Sequence, residues 1–510
     1  MAALALLTTL ALLTTLALLT TLTLLTTLAL LTTLALLTTL GLLTTLALLT
    51  TLALLTTLTL LTTLTLLTTL ALLTTLALLT FALLTLGASW GSRALGLLVT
   101  LTALLIGISR FLVCHVSSHV LVLIRLGFEV FREHSLAGLI PFCRSRCSYC
   151  DFATGIYEGA LAESYVQALV KEILSWQDID TPAAIDTIYF GGGTPSLLSA
   201  SQIEVILEAI HTRFGIQADA DVEVTIEMNP GTVTPALVHE FHRLGIDRAS
   251  FGAQTFDDRE LARLGRSHTA QDTRQTFNYL REAGFDNVSF DLIAGLPGQT
   301  LEGWERNVDE ALTLRPEHLS FYLLEVHEGT PLAEHIRRGM QPQPDDDQSA
   351  QMYELMLDRA SSAGYEHYEI SNLCLPGFES RHNTKYWTGA PYYGFGCSAH
   401  SYDGSFRRWS NERDVARYTG LIQKDASPVV ERIELSKHQA RAEALFLGLR
   451  MMQGVDLKRH QLQFGADPWD SHEAELARFR EAGLIEYDGD LIKLTRSGTL
   501  LSNEVFSAFV

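Results

Sequence analysis

The stretch Cys143–Phe152, CRSRCSYCDF, carries three cysteines at the spacing C-x3-C-x2-C, directly after an apolar run that ends at Pro141. A 4Fe-4S cluster normally takes four thiolates, so a loop that offers three leaves one iron without a protein ligand and open to chemistry. A structural zinc site is one alternative, because Cys374 or Cys397 could complete a four-ligand shell. Three thiols that lie together by chance are the other alternative.

The composition is that of an acidic globular protein. Residues 1–135 contain only four basic and two acidic residues, so 33 basic and 55 acidic residues lie in the remainder of the 510-residue chain. Such a balance leaves no basic surface for nucleic acid. Six cysteines in so long a chain do not make a disulfide framework, which indicates a reducing compartment and predicts a cytoplasmic protein.

The N-terminal part, residues 1–135, is a low-complexity repeat followed by apolar runs. A hexad close to LALLTT recurs from Leu4 to about Thr85. In a helix this period spreads the leucines over every face, so no amphipathic stripe results. We interpret the region as an extension outside the functional fold, or as translated repeat DNA upstream of the gene. Membrane spans and a hexapeptide β-helix are the alternatives, and we expect membrane contact only if the repeat is expressed.

Beyond the cysteine loop, a pattern of strand, loop and amphipathic helix repeats as far as about residue 330. The predicted strands are Ile185–Phe190, Val222–Met228, Arg248–Gly252, Val288–Ile293 and Leu319–Leu323. The predicted helices are Leu161–Trp176, Ser201–Arg213, Pro235–Leu244, Thr269–Ala283 and Leu301–Leu312. Alternating elements of these lengths predict parallel strands joined by right-handed crossovers.

Residues suited to ligand binding stand at or just past the ends of successive predicted strands, about one βα unit apart, and they are Cys143, Gly191, Glu227, Gln254 and Asp291. Groups at the same end of parallel strands converge in space, although each alone would more simply be a helix cap. The glycines of GGGTP at 191–195 leave a backbone that a ligand can approach. Glu227 suits an ammonium or hydroxyl group, Gln254 and Asp291 suit a ribose diol, and Arg266 suits a carboxylate.

These motifs together resemble the radical S-adenosylmethionine superfamily, and within it the branch shared by oxygen-independent coproporphyrinogen III oxidases and HemW-type haem chaperones. The motifs are C-x3-C-x2-C, GGGTP, E-x-NP, F-G-x-Q-x-F and D-L-I-x-GLPGQT, in that order. The resemblance implies that Cys143, Cys147 and Cys150 bind a 4Fe-4S cluster whose free iron takes S-adenosylmethionine. It also implies an S-adenosylmethionine site lined by Tyr149, Gly192, Gly193, Thr194, Glu227, Gln254, Arg266 and Asp291.

The expected fold class is α/β. We predict a partial (β/α)6 TIM-like radical SAM barrel at 136–345, an α+β subdomain at 346–430 and a winged-helix-like module at 431–510. The last module has helices near Lys437–Gly454 and His472–Ala482, and then a hairpin with Asp488–Gly489 at its turn. Acidic and basic residues are similar in number at 457–482, which favours a protein contact or a lid over DNA binding.

Two details favour the chaperone branch. The oxidases typically have a further cysteine where this chain has Phe152. The segment Arg381–Trp387, RHNTKYW, resembles the HNxxYW signature of the haem-binding chaperones. The resemblance makes His382 a candidate axial ligand to haem iron, with Cys397 and His400 as rivals. An ordinary loop histidine is the alternative for His382.

One segment departs from the family. Members usually have a tyrosine and a histidine shortly before IPFC, and here SLAGLIPFC has Ala137 and Leu139 at those positions, or a few residues have been lost. An odd-numbered loss would turn the side chains of the first strand to the wrong face. We therefore expect this chain to lack full activity. Because Phe152 replaces the further cysteine of the oxidases, we also expect no coproporphyrinogen oxidase activity.

The resemblance implies a haem chaperone, with a coproporphyrinogen III oxidase of porphyrin biosynthesis as the alternative. The expected cofactors are a 4Fe-4S cluster, S-adenosylmethionine and haem. The expected partners are haem, haem-accepting apo-proteins, an electron donor such as a flavodoxin or ferredoxin, and a second copy of the chain in a homodimer. No nucleic acid is expected.

Overall fold

The computed structural model describes residues 133–177, 184–217, 220–465 and 472–509. The predicted hexad repeat and the apolar runs that follow it lie outside these residues. No helix within the described ranges is both long enough and apolar enough to cross a membrane.

Six parallel strands form the centre of the fold, and they pair with one another in chain order. They are β1 (Glu133–Ile140), β2 (Ala184–Gly192), β3 (Glu223–Met228), β4 (Arg248–Gln254), β5 (Asn287–Ala294) and β6 (His318–Leu323). The helices that connect or flank them are α1 (Gly159–Ser175), α2 (Ala200–Phe214), α3 (Pro235–Arg243), α4 (Asp258–Arg263), α5 (Ala270–Ala283), α6 (Leu301–Leu314) and α7 (Pro331–Arg337). The predicted partial (β/α)6 barrel is confirmed.

The central strands are buried on both faces except at the end of β6, where Tyr322 and Leu323 are exposed, because helices cover one face and the other lines the lumen of the barrel. In β4, Ala249, Phe251 and Ala253 belong to the main hydrophobic cluster. Since side chains alternate along a strand, Arg248 and Gln254 project into the lumen. The lumen is therefore polar, whereas the layer between strands and helices is apolar.

Strand β1 keeps this alternation from Ser135 to Ile140, after a register irregularity between His134 and Ser135 at which the pairing passes over Asp186 of β2. Leu136 and Ile140 are completely buried in the main cluster. Ala137 pairs with Tyr189 of β2 and Leu139 pairs with Gly191, which places both on the lumen side. The two faces of β1 are therefore not reversed beyond Ser135, and the substitution and the loss of a few residues both stay predictions.

Residues 346–430 extend the sheet at both edges, which gives a twelve-stranded sheet within the described residues. Strands β7 (Glu366–Glu369) and β8 (Asn372–Cys374) continue it antiparallel beyond β6, after helix α8 (Asp346–Ser362). Beyond β1 lie β9 (Tyr392–Phe395), β10 (His400–Tyr402), β11 (Arg407–Asn411) and β12 (Val429–Glu434). Helices α9 (Arg381–Thr388) and α10 (Val415–Gln423) belong to the same segment.

The C-terminal residues form a small module with its own hydrophobic cluster, which includes Leu445, Ile492 and Val505. Its helices are α11 (Lys437–Gly448), α12 (Leu457–Phe464), α13 (Glu473–Glu481), α14 (Arg496–Leu500) and α15 (Ser502–Phe506), and its strands are β13 (Val455–Asp456), β14 (Ile485–Tyr487) and β15 (Leu491–Leu494). The predicted hairpin is present between β14 and β15, and Gly489 at its turn has a φ of 100°.

Candidate cofactor site

The cysteine loop follows β1 at the carboxyl end of the barrel and is anchored along its length. Phe142–Cys143 pairs in parallel with Gly155–Ile156. In the middle of the loop, Ser148 N donates to Leu264 O at 2.9 Å, and Ser148 O accepts from Leu332 N at 2.9 Å. These backbone bonds hold the loop against the ends of α4 and α7 without using any cysteine side chain.

Two of the three thiols have a side-chain donor at the sulfur. Thr194 Oγ1 donates to Cys143 Sγ at 3.6 Å, and Arg266 Nη1 donates to Cys147 Sγ at 3.6 Å. All three thiols are partly buried, and burial raises the pKa of Cys143 and Cys150. Donors aimed at sulfur stabilise the thiolate form that iron requires.

Within the described ranges, no three His, Cys, Asp or Glu side chains are gathered closely enough to hold one metal ion. The thiolates of a cubic cluster bind separate irons, so they need not converge on a single point. Cys374 pairs with His318 at the start of β6, at the opposite end of the barrel from the loop. Cys397 is buried, and its backbone N–H donates to Tyr165 Oη of α1 at 3.0 Å.

Asn229 links the two sulfur donors, and the sequence analysis missed it. Asn229 Nδ2 donates to Thr194 Oγ1 at 2.6 Å, and Asn229 Oδ1 accepts from Arg266 Nη2 at 2.6 Å. Arg266 also donates to Gly252 O at 2.7 Å, and Tyr149 lies beside its guanidinium. A continuous chain of hydrogen bonds thus joins Cys143 to Cys147. Asn229 lies within the motif IEMNP, from which the sequence indicated only the carboxylate of Glu227 as a candidate.

The three glycines at 191–193 end β2 and begin the turn that follows it, and Gly193 packs against Phe142, the residue that precedes the first cysteine. A Cβ atom at Gly193 would lie 2.7 Å from Phe142 O and 2.9 Å from Phe142 N. Gly193 N donates to Ile140 O at 2.8 Å, and Gly192 has a φ of 107°, which favours glycine. The sequence predicted that these glycines leave room for a ligand. At Gly193, however, the backbone of Phe142 occupies that room.

Glu227 lies at the end of β3 with both carboxylate oxygens engaged. Tyr189 Oη donates to Oε1 at 2.6 Å, and Gly192 N donates to Oε2 at 3.0 Å. Burial raises the pKa of Glu227 to about 7, although the bond from Tyr189 opposes the rise. The carboxylate is therefore held in one orientation and is poorly solvated, which favours binding of a positively charged group.

Gln254 is the last residue of β4, whereas Asp291 lies in the middle of β5 opposite Ser320 of β6, so the expectation that Asp291 stands at a strand end is wrong. Gln254 has a φ of 64°, a left-handed conformation that is uncommon outside glycine, at a register irregularity between β4 and β5. Asp291 Oδ1 accepts from Ser250 Oγ at 3.5 Å, and burial raises its pKa. The charge of Asp291 contributes to the raised pKa of Glu227, so the two acids share one lumen.

Arg248 is a second residue that the sequence analysis did not single out. Its side chain is 1% exposed and its Nε has no hydrogen-bond partner. The positive charge of Arg248 opposes the burial-driven rise in the pKa of both Glu227 and Asp291. The only sequence signal for this role was the position of Arg248 at the start of β4, from which alternate side chains face the lumen.

The HNxxYW segment forms α9, which lies at the amino end of the barrel, where its first N–H groups donate to Glu223 at the start of β3. His382 is 1% exposed and stacks on Tyr189 with ring centroids 4.7 Å apart. Its Nδ1 bonds to Thr187 Oγ1 at 2.9 Å and its Nε2 bonds to Tyr386 Oη at 2.9 Å. Burial lowers the pKa of His382 to about 3. Both ring nitrogens are thus engaged within the protein.

A cleft of about 900 Å³ lies beside α9 at this amino end. Acidic residues line it, but Asp186 pairs with Lys385 and Glu223 accepts both backbone N–H groups of Arg381 and His382. These acids therefore anchor α9, and the cleft does not contain the residues predicted for the cofactor site. His400, a rival haem ligand, is exposed in β10.

Comparison with protein families gives two matches. Residues 139–311 match the radical SAM superfamily, and residues 435–501 match the HemN C-terminal domain. The chain is 36% identical over 371 residues to the haem chaperone HemW of Bacillus subtilis, which covers 73% of this chain and 97% of that protein. It is 37% identical to the haem chaperone HemW of Mycobacterium tuberculosis strain H37Rv over 72% of this chain and 92% of that protein.

Among solved structures, the chain is similar to coproporphyrinogen III oxidase (HemN) from Escherichia coli, a radical SAM enzyme. The match has a TM-score of 0.65 and 22% sequence identity, and it covers 74% of this chain and 90% of that one. At this identity the likeness establishes the fold alone.

Proposed function

The chain belongs to the radical SAM superfamily and, within it, to the family of the haem chaperone HemW, and from this premise we propose that it binds haem and delivers it to acceptor proteins. The observation that carries the proposal is the extent of the match, which takes in 97% of the length of the Bacillus subtilis chaperone. The C-terminal module as well as the barrel therefore follows the chaperones.

Membership of the superfamily implies a 4Fe-4S cluster and S-adenosylmethionine. Cys143, Cys147 and Cys150 would hold the cluster, which when bound supplies the electron that cleaves S-adenosylmethionine. The partly buried sulfurs with donors from Thr194 and Arg266 fit such a cluster. The residues proposed to line the S-adenosylmethionine site are Tyr149, Gly192, Gly193, Thr194, Glu227, Gln254, Arg266 and Asp291.

The roles follow from the charges in this site. Glu227 would accept a hydrogen bond from the ammonium group of S-adenosylmethionine, because its carboxylate is fixed by Tyr189 and Gly192. The guanidinium of Arg266 would attract the carboxylate group. Asp291 would accept from a ribose hydroxyl, and its bond from Ser250 supports this orientation.

For haem, His382 remains the proposed axial ligand, and Tyr386 and Trp387 would wall its binding site. Coordination would require His382 Nε2 to exchange its bond to Tyr386 Oη for a bond to iron. The electron donor is proposed to be a flavodoxin or a ferredoxin, and the compartment to be the cytoplasm.

The experiment is haem titration of the full-length protein, followed by transfer to haem-free apomyoglobin as acceptor. We expect a stable haem absorption band that moves to the acceptor. A parallel anaerobic incubation with coproporphyrinogen III, S-adenosylmethionine and a reductant should give no protoporphyrinogen. Formation of protoporphyrinogen without haem retention would overturn the proposal in favour of the oxidase. Unchanged haem retention in His382→Ala would contradict the axial ligand only.

A further inference from the structure

Tyr189 contacts residues from both ends of the barrel. It lies in β2, where it pairs with Ala137 of β1 and Thr225 of β3 on the lumen side. Its ring stacks on the imidazole of His382 in α9, with 22° between the two planes. Its hydroxyl donates to Glu227 Oε1 at 2.6 Å. One side chain thus touches both the histidine of the HNxxYW segment and the carboxylate proposed to bind S-adenosylmethionine.

Close packing holds the Tyr189 ring in this position. A Cβ atom at Gly191 would lie 2.7 Å from Cε1 of the ring, so the ring lies directly against the backbone there. His382, on which the ring also stacks, is itself held by Thr187 Oγ1 at Nδ1 and by Tyr386 Oη at Nε2. The position of the Tyr189 hydroxyl therefore depends on His382 remaining where these two bonds hold it.

Coordination of haem iron would require the His382 ring to leave that position. The side chain is 1% exposed. A porphyrin is much wider than an imidazole ring, so movement of Tyr386 alone would not bring iron within reach of Nε2. Once the imidazole moved outward, Tyr189 would lose its stacking partner, and its hydroxyl would no longer be fixed on Glu227.

Glu227 would then bind S-adenosylmethionine less tightly, for two reasons that act in the same direction. The carboxylate would lose the donor at Oε1 and keep only Gly192 N, which lies 3.0 Å from Oε2. The bond from Tyr189 also lowers the pKa of Glu227 against the effect of burial, so its loss would leave more of the carboxyl group protonated near neutral pH. A neutral, loosely held carboxyl group attracts an ammonium group less than a fixed carboxylate does.

We propose that haem at His382 and S-adenosylmethionine at the carboxyl end of the barrel weaken each other's binding through Tyr189. The proposal rests on the proposed function, because it takes His382 as the haem ligand and Glu227 as the acceptor of the ammonium group. A coupling free energy between two sites is reciprocal, so each ligand lowers the affinity for the other by the same factor. S-adenosylmethionine would therefore promote the release of haem to the acceptor protein.

Anaerobic calorimetric titration of the full-length, cluster-loaded protein with S-adenosylmethionine, with and without bound haem, tests this antagonism. We expect bound haem to raise the Kd for S-adenosylmethionine by about fivefold or more. Saturating S-adenosylmethionine should raise the Kd for haem by the same factor. Tyr189→Phe keeps the ring but lacks the hydroxyl, so its Kd for S-adenosylmethionine should be higher than that of the parent protein and should no longer respond to haem.

In the absence of haem, His382→Ala should imitate haem binding, because it removes the stacking partner of Tyr189. We expect its Kd for S-adenosylmethionine to rise by about the factor that haem causes in the parent protein. Thr388→Ala is the matched control in α9, since Thr388 is exposed and its hydroxyl donates to Thr384 O within the helix. This control should keep both the affinity and the response to haem. The iron content and circular dichroism of each variant check that the cluster and the fold are intact.

A Kd for S-adenosylmethionine that haem leaves unchanged or lowers in the parent protein would overturn the proposal. A response to haem that persists in Tyr189→Phe, parental affinity in His382→Ala, or an equal loss in Thr388→Ala would also overturn it. A parent protein that binds no haem would overturn the proposed function, whereas haem binding without antagonism would overturn the coupling alone.

Discussion

The two ends of the barrel use their polar residues in opposite ways. At the carboxyl end, Cys143 and Cys147 each have a single long hydrogen bond to sulfur, so their ligand-binding capacity is largely free. At the amino end, His382 is buried with both ring nitrogens bonded to Thr187 and Tyr386. Residues at the carboxyl end of a barrel generally serve chemistry, whereas those at the amino end serve stability. His382 therefore has a structural role in the protein as described, and its proposed role toward haem requires Nε2 to leave Tyr386 Oη.

The contrast extends to protonation. Burial raises the pKa of Glu227 at the carboxyl end to about 7 and lowers the pKa of His382 at the amino end to about 3. For Glu227 the folded state binds more protons than the unfolded state between about pH 4.5 and pH 7, so its contribution to stability falls as the pH rises. For His382 the unfolded state binds more protons between about pH 3 and pH 6.5, so its contribution rises with pH.

The largest effect is expected from Cys147→Ala, which should lower the iron content by more than about tenfold because two thiolates cannot hold the cluster. Iron analysis and the visible absorption of anaerobically reconstituted protein measure this loss. Cys374→Ala is the control, since Cys374 is fully buried at the amino end. Equal iron loss in Cys374→Ala would break the comparison and favour a site that includes Cys374.

Gly193→Ala should cost about 2–4 kcal/mol in the free energy of unfolding, because its Cβ would overlap the backbone of Phe142. Urea denaturation measures the cost, and the iron content should fall with it since Phe142 adjoins Cys143. Gly159→Ala is the matched control, because a Cβ there meets no atom within 4 Å. Wild-type stability in Gly193→Ala would contradict the close packing of turn and loop.

His382→Gln should lower the free energy of unfolding at pH 7 by about 1–3 kcal/mol, since it disturbs two buried hydrogen bonds. In the parent protein, the free energy of unfolding should fall by about 1 kcal/mol for each pH unit below 6.5, because His382 is protonated only in the unfolded state. His382→Gln should remove this pH dependence. Urea denaturation at several pH values measures both effects. A slope identical to that of the parent would mean that His382 is not buried as a neutral ring.

Glu227→Gln should have the smallest effect on stability and the opposite sign of slope. It should remove the fall in stability, about 1 kcal/mol per pH unit or less, that ionisation of Glu227 causes between pH 4.5 and pH 7. The affinity for S-adenosylmethionine should weaken, and its pH dependence near 7 should disappear. Calorimetric titration checks this, and an unaltered affinity would remove Glu227 from the proposed site.

Much of the barrel could be predicted from sequence because hydrophobic alternation and βα spacing are local signals. Five of the six strands were predicted with bounds, and each bound lies within two residues of the structure. The expectation of one shared site followed from the parallel arrangement of these strands. The twelve-stranded extension was harder to predict, because β9 pairs with β1 across more than 200 residues of chain and short edge strands carry little pattern. Such pairings depend on tertiary contacts, which override local propensity.

Within the site, the sequence indicated residues that belong to a recognisable motif. It did not indicate residues whose side chains join two motifs by hydrogen bonds. Asn229 joins Thr194 to Arg266, and nothing in its own neighbourhood in sequence indicates those partners. His382 had a signature that resembles haem-binding chaperones, yet the signature alone did not indicate that Thr187 and Tyr386 would occupy both ring nitrogens.

The buried positive charge of Arg248 affects which ligands the lumen can select. Once both carboxyl groups ionise, the two negative charges of Glu227 and Asp291 equal in number the two positive charges of Arg248 and Arg266. These four charges together offer little attraction to a simple anion or cation, because the favourable and unfavourable interactions cancel at a distance. They favour a ligand whose own charges of both signs are spaced to match, so zwitterionic molecules should be selected over plain salts.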